Sequence, residues 1–149
     1  MRKSTQKIWG LLFLLPILGG ISNALGVCVN NSHANLRSGP GTSYEKVWTV
    51  YKYMPLKDIG EKKGWLRVKD VDGYSSWILG SLVTTKYHCA VIRSAKANLR
   101  EGPGTDYAQT GRGEKYHSFK IVKEKEDWVY IEDEYRHRYW VARELVWLD

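Results

Sequence analysis

Two cysteines lie close to histidines and are the side chains of this chain with the most obvious chemistry. Cys28 precedes His33 by five residues, and His88 directly precedes Cys89. A cysteine nucleophile needs a thiolate, a positioned base and an oxyanion pocket. The same two cysteines could instead form a disulfide, which would close a loop of about 60 residues and stabilise the fold by up to roughly 4 kcal/mol. Spacing alone leaves both alternatives open.

The histidines do not form a metal-binding pattern. They are widely separated and show none of the paired spacings typical of zinc sites: His33, His88, His117 and His137. The runs Lys123–Asp127 and Glu132–Glu134 are rich in charge and are typical of solvated hairpin turns. We therefore expect no metal and no cofactor.

The N-terminal segment has the pattern of a secretory signal peptide. Residues 1–7 carry three basic side chains, Ile8–Ile21 is apolar, and Ser22–Ala24 is a small-x-small cleavage site. The apolar run is too short for a spanning helix, and Pro16 would break it. A lipoprotein signal at Cys28 is disfavoured because Val27 is not small. We expect residues 1–24 to be removed, leaving an exported protein, periplasmic or extracellular, without a membrane span.

The positive charge is unevenly distributed. The net charge of +7 falls to +4 without the three basic residues of the signal peptide. Residues 27–86 carry nine Lys/Arg against five Asp/Glu, whereas residues 87–149 carry eleven of each. A surplus of this size attracts acidic partners weakly, and it is not the footprint of a nucleic-acid-binding protein.

One segment of the chain occurs twice. Ala34–Tyr44 and Ala97–Tyr107 are identical at nine of eleven positions, at an offset of 63 residues. The offset holds without a gap to the C-terminus, and 19 of 60 aligned positions are identical. A unit of this length can bury a small core. The sequence therefore predicts two tandem domains, residues 27–86 and 87–149, behind the signal peptide.

Each copy reads as short strands joined by tight turns. Trp65–Lys69 alternates apolar and polar residues as a half-buried strand does, and Gly39–Gly41 is typical of a turn in which glycines take positive φ. Asp72-Gly73 predicts a tight turn that the second copy, with Tyr135-Arg136 there, should not share. Residues 79–82 and 142–145 read as short turns, some of them 3₁₀. No amphipathic helix is indicated, so the fold class is all-β: two small barrels of five to six short strands each.

The repeated motifs resemble the bacterial SH3-like family. Its features are an Asn-apolar-Arg-x-Gly-Pro segment followed by an aromatic residue, a Gly-Trp-x-x-Val strand and a Gly-x-x-Gly-Trp-Val strand. They match Asn35–Tyr44, Gly64–Val68 and Gly73–Ile78, with counterparts 63 residues later. The sequence departs from the family at four positions where glycine is usual: Ser76, Asp127, Arg136 and Tyr139.

The resemblance implies a binding module rather than an enzyme. Family members often target peptidoglycan, its stem peptides or envelope proteins, and those that cleave peptidoglycan add a separate catalytic domain. The predicted mature chain of about 125 residues has no room for such a domain. We therefore expect a non-catalytic protein, with the two cysteines structural or joined in a disulfide.

Aromatic residues are the candidates for ligand contact. Trp65, Trp77, Trp128 and Trp140 recur in both copies and are expected to pack in the cores. Tyr44 and Tyr107 also recur, and the family often exposes a ring there. Trp48, Tyr51 and Tyr74 have no aromatic counterpart and are not needed by the shared fold. These five residues (Tyr44, Trp48, Tyr51, Tyr74 and Tyr107) form the predicted binding set, with the main face on the basic first copy and an acidic ligand. The alternative is that the unmatched rings cover the contact between the copies.

Two functions follow from these expectations. The first is recognition of cell-wall peptidoglycan, through its stem peptide or its glycan. The second is a protein-interaction adaptor that docks the peptide segment of an envelope partner. The oligomeric state is not indicated by the sequence.

Overall fold

The computed structural model of the protein describes residues 25–149. The predicted signal peptide, residues 1–24, lies outside the described residues. The part of the chain that the structure describes holds no helix with the length and apolar character needed to cross a membrane.

The first copy forms one antiparallel sheet with a short 3₁₀ turn. Its strands are β1 (Leu25–Val29), β2 (His33–Arg37), β3 (Lys46–Tyr51), β4 (Pro55–Lys62), β5 (Trp65–Lys69), β6 (Ser75–Leu79) and β7 (Val83–Thr84). The 3₁₀ turn, Gly80–Leu82, lies between β6 and β7. The sheet order is β3-β2-β6-β5-β4-β1-β7, so the first and last strands of the copy are neighbours.

The second copy repeats this arrangement strand for strand. Its strands are β8 (Cys89–Ile92), β9 (Lys96–Arg100), β10 (Gln109–Glu114), β11 (Ser118–Lys125), β12 (Trp128–Glu132), β13 (Arg138–Ala142) and β14 (Val146–Leu148). The order is β10-β9-β13-β12-β11-β8-β14, with a 3₁₀ turn at Arg143–Leu145. The all-β class with two tandem copies is confirmed, and each copy has seven strands, more than predicted, because the short strands at both ends of the copy also pair.

The core of each copy consists of aliphatic residues from the inward face of the strands. The first core includes Leu36, Val50, Leu56, Val68 and Ile78, all essentially inaccessible to solvent. The second core is built from the corresponding strands, with Val91 of β8 instead joining the first core. Burial of these side chains is the main stabilising contribution to each small sheet.

The recurring tryptophans lie mostly outside these cores, contrary to the sequence-based expectation. Trp65, Trp77 and Trp128 are only half-buried, and Trp140 is covered by a stacked Tyr130 ring at 4.8 Å. Side chains alternate between the two faces of a strand. Because Ile78 points inward, its neighbour Trp77 must point outward.

The turns between β5 and β6 and between β12 and β13 have the same geometry, so the predicted difference is wrong. Gly73 and Arg136 both adopt left-handed φ, at 86° and 73°. In each turn an aspartate accepts two backbone N–H hydrogen bonds at its Oδ1 atom, Asp70 in the first copy and Asp133 in the second. This aspartate, present in both copies, holds the turn even where an arginine replaces the glycine.

The Gly-Pro-Gly loops also differ from expectation. None of their four glycines adopts positive φ. Instead, a side chain at Gly39 would overlap the ring of Tyr44, and Gly102 is related to Tyr107 in the same way. Gly39 and Gly102 are needed because an aromatic ring occupies the position that a Cβ atom would take.

A buried disulfide joins the two sheets. Cys28 of β1 and Cys89 of β8 are bonded, with their Cα atoms 6.0 Å apart and both residues inaccessible to solvent. Tyr53 and Tyr87 pack on the bond, with their ring centroids 5.5 Å apart. The Tyr87 hydroxyl donates to Asn30 Oδ1 at 2.9 Å, across the same junction. The copies are therefore connected by a covalent bond as well as by packed rings.

Removing the disulfide by the double substitution Cys28→Ala/Cys89→Ala should lower the free energy of unfolding. The bond links residues separated by 61 positions, and closing a loop of that size removes entropy from the unfolded chain worth about 4 kcal/mol as an upper value. Urea denaturation of the oxidised protein and of the variant measures the difference. Equal stability, or two titratable thiols in the unreduced protein, would contradict the bridge.

Candidate functional site

A cleft of about 470 Å³ opens on the first copy and is completed by the second. We call it the aromatic cleft. It is lined by Leu36, Val47, Trp48, Asp70, Asp72, Tyr74, Ser75, Ser76 and, from the second copy, Tyr116. Its size lies within the range of sites that hold a small molecule or one or two residues of a larger ligand.

The cleft exists because the two copies fill the same space differently. Trp48 and Ser76 of the first copy correspond to Gly111 and Tyr139 of the second. In the second copy the Tyr139 ring lies over Gly111, and its Cε1 atom would be 3.2 Å from a Cβ built there. Relative to the second copy, the first copy has the large residue on β3 and the small residue on β6. Trp48 now forms one wall, and the small Ser76 leaves the space beside it open.

Ser76 lines this space and has a buried, unpaired hydroxyl. The residue is 6% exposed, and among residues 25–149 its Oγ is the one fully buried side-chain polar atom without a hydrogen-bond partner. A buried hydroxyl left unpaired costs about 1–3 kcal/mol. Since Ser76 lines the aromatic cleft, a bound group can supply the missing partner.

Asp70 supplies a carboxylate beneath the cleft. It is 7% exposed, and its Oδ1 atom accepts hydrogen bonds from the backbone N–H groups of Asp72 and Tyr74 at 2.9 and 3.0 Å. Burial raises the pKa of Asp70 above its ordinary value, and these N–H donors oppose that effect. Asp70 takes part in none of the ion pairs formed within residues 25–149.

Asp72 holds the second copy against the first. The Tyr116 hydroxyl donates to its Oδ2 atom at 2.6 Å, and Lys115 Nζ lies 3.1 Å from Oδ1. The hydrogen bond from Tyr116, followed by that from Lys115, lowers the pKa of Asp72. The Tyr116 ring also meets Trp48 edge-on at a centroid distance of 5.2 Å. These contacts fix the wall that the second copy contributes.

The structure brings together only part of the predicted binding set. Trp48 and Tyr74 line the aromatic cleft, and Tyr74 is 73% exposed. Tyr51 lies in a neighbouring groove that shares Tyr116 with the cleft. Tyr44 and Tyr107 cover their own glycine loops and remain half-exposed.

Sequence reasoning missed Asp70, Ser76 and Tyr116. Ser76 carried a signal, because it stands where the family usually has glycine. Tyr116 matches Tyr53 in the repeat and therefore looked like a residue of the shared fold. Its role at the cleft depends on how the two copies are placed.

Neither cysteine is available as a nucleophile. Both sulfurs belong to the disulfide, so neither can form a thiolate. Asp149 lies beside them, accepting from the Cys89 backbone N–H at 3.1 Å and lying 3.2 Å from His88 Nδ1. This group has the composition of a metal site, but a disulfide is not a thiolate ligand.

Comparison with known proteins identifies the class. The family model described as the bacterial SH3 domain matches residues 32–84 and 95–146. The chain therefore belongs to the bacterial SH3 domain family and carries two copies of the domain. A curated relative, the putative N-acetylmuramoyl-L-alanine amidase YrvJ of Bacillus subtilis, is 26% identical over 147 residues. The alignment covers 89% of this chain but only 28% of that protein.

The solved structures to which the chain is similar are more distant in sequence. NlpC1 of Trichomonas vaginalis is 10% identical with a TM-score of 0.39, covering 92% of this chain and 50% of that one. An NlpC/P60 family protein of Bacillus cereus is 12% identical with a TM-score of 0.38, covering 84% and 56%.

The exchange of large and small residues at the cleft can be tested by a double-mutant cycle. Ser76→Tyr alone should destabilise the protein, because the new ring meets Trp48. Adding Trp48→Gly should recover at least about 1 kcal/mol, because it recreates the packing of the second copy. Urea denaturation of the four proteins gives the coupling. Additive effects would show that the two positions do not share one space.

The hydrogen bond from Tyr116 to Asp72 should make the stability of the protein sensitive to acid. A carboxyl whose pKa is lowered below its ordinary value of 3.8 stabilises the fold above that pH and loses this contribution as the pH falls through the lowered pKa. Stability measured from pH 7 to pH 2 should therefore fall less steeply below pH 4 in Tyr116→Phe than in the unmodified protein. Parallel curves would contradict the role of this hydrogen bond.

Proposed function

We propose that this protein is an exported, non-catalytic envelope protein that binds peptidoglycan through its tandem SH3-like domains. The observation that carries the proposal is the aromatic cleft, in which Trp48, Tyr74 and Tyr116 line a space of the size of a sugar or a short peptide segment. Rings with one apolar face and one polar tip suit such ligands.

The family and the curated relative support the same target. The relative is named as a putative N-acetylmuramoyl-L-alanine amidase. N-acetylmuramic acid linked to L-alanine is a unit of peptidoglycan. A binding module shared with such an enzyme is useful if it recognises the same polymer. The disulfide is compatible with an oxidising compartment outside the cytosol.

The second candidate function is an adaptor that binds the peptide segment of an envelope partner. The neighbouring groove favours it, because this groove shares Tyr116 with the cleft and is also lined by Tyr51 and Tyr135. Two adjoining sites lined by aromatic rings would suit a peptide that spans both. Such an adaptor would not sediment with purified peptidoglycan.

Cosedimentation of the mature protein with purified peptidoglycan tests the proposal. Tyr74→Ala should weaken binding roughly tenfold, because the exposed ring contacts ligand and not the core. Tyr135→Ala is the matched control for the cleft, since its ring is equally exposed, at 73%, in the corresponding turn of the second copy but lines the neighbouring groove. Protein that stays in the supernatant at low salt would overturn peptidoglycan binding and favour the adaptor. Equal loss in both variants would overturn the assignment to the aromatic cleft.

A further inference from the structure

The charged groups of the aromatic cleft favour a cationic ligand. Two carboxylates, Asp70 and Asp72, are the charged side chains that line it. The buried Ser76 hydroxyl adds an acceptor without a partner. The rings of Trp48 and Tyr74 add apolar faces with negative quadrupole potential, which attract cations.

We propose that the aromatic cleft recognises a primary ammonium group, held by the Asp70 carboxylate and the Ser76 hydroxyl and covered by the rings of Trp48 and Tyr74. An ammonium donates up to three hydrogen bonds and so satisfies both acceptors at once. This proposal rests on the proposed function, because it names the chemical group that the same cleft would select in the cell-wall polymer.

The rim of the cleft already contains this kind of contact. Lys115 Nζ lies 3.1 Å from the Asp72 carboxylate and 4.9 Å from the centroid of the Tyr116 ring. The protein's own ammonium is thus held by a carboxylate and an aromatic face. Asp72 is neutralised by this pair, whereas Asp70 is left for a ligand.

The cleft does not fit the acidic ligand expected from the charge of the first copy. A carboxylate entering it would meet the buried Asp70 and lose its own hydration. No lysine or arginine is among the residues that line the cleft in the described part of the chain. The basic surplus of the first copy therefore lies on other surfaces.

The second copy provides a matched comparison. Asp133 holds its turn by the same two backbone hydrogen bonds as Asp70, from Tyr135 and His137. Its second oxygen, however, lies 3.0 Å from His137 Nδ1, and the space equivalent to the cleft is occupied by Tyr139. In the second copy, Asp133 therefore holds the turn and has no open cleft beside it.

Titration with matched peptides tests the proposal. The probes are acetyl-Ala-Lys-Ala-amide, the same peptide acetylated on the lysine amine, and acetyl-Ala-Glu-Ala-amide. Binding of each peptide is monitored through the backbone amide NMR signals of the mature protein. The lysine peptide should shift the Ser76 and Tyr74 signals and bind at least roughly tenfold more tightly than the other two. Equal binding of the lysine and acetyl-lysine peptides, or no binding, would overturn the proposal. Glucosamine against N-acetylglucosamine, run in parallel, distinguishes an amino-sugar amine from a side-chain amine.

Two isosteric variants assign the effect to the cleft. Asp70→Asn retains an oxygen for the turn but removes the charge, and it should abolish the preference for the free amine. Asp133→Asn makes the same change in the second copy and should leave the preference unchanged. Loss of the preference in both variants, or in neither, would contradict the assignment to Asp70.

Chemical acetylation of the polymer separates this proposal from the proposed function. Peptidoglycan whose amines have been acetylated should no longer sediment the protein. If acetylated and untreated peptidoglycan bind equally, ammonium recognition fails and peptidoglycan binding stands. If neither binds, peptidoglycan binding fails, and the peptide titration alone decides ammonium recognition.

Discussion

The covalent bond between Cys28 and Cys89 fixes the two small sheets to one another. It links the first strands of the two copies and is buried under Tyr53 and Tyr87. Because it holds β8 against the first copy, Val91 enters the first core. The same placement brings Tyr116 to Trp48 and Asp72, where it closes the aromatic cleft. The site therefore belongs to the pair of domains and not to either one.

Gene duplication gives two equal copies, and the difference between these two is concentrated where packing permits it. Exchanging a large and a small residue between facing positions preserves total volume and is tolerated well. Trp48 with Ser76 against Gly111 with Tyr139 is one such exchange. A second, partial exchange replaces Val50 by Gly113 and Val29 by the larger Ile92, whose Cδ1 occupies the space over Gly113. The second exchange keeps a core filled. The first one opens a cleft, so specialisation required no change of fold.

The charge at the cleft is negative, whereas the domain that contains the cleft has a positive net charge. The first copy has a surplus of four positive charges by composition, yet its cleft presents carboxylates. Asp70 is there because the turn between β5 and β6 needs an acceptor for two backbone N–H groups. The same residue lines the cleft, although it is only 7% exposed. Net charge describes long-range attraction and carries no information about such a local arrangement.

The amino-acid sequence by itself determined the class, the repeat and the strands, because these follow from motifs and alternation that are local along the chain. It also named Trp48 and Tyr74, whose lack of counterparts was visible in the repeat. It did not determine which face the tryptophans occupy, because the register of each strand decides that. Nor did it show that Arg136 would adopt the conformation of Gly73, since the aspartate that holds both turns acts through the folded backbone.

Only the tertiary structure decided the disulfide and the cleft, because Cys28 meets Cys89 and Trp48 meets Tyr116 across more than 60 residues of sequence. Contacts of that range depend on how two folded sheets pack, and no local pattern encodes them.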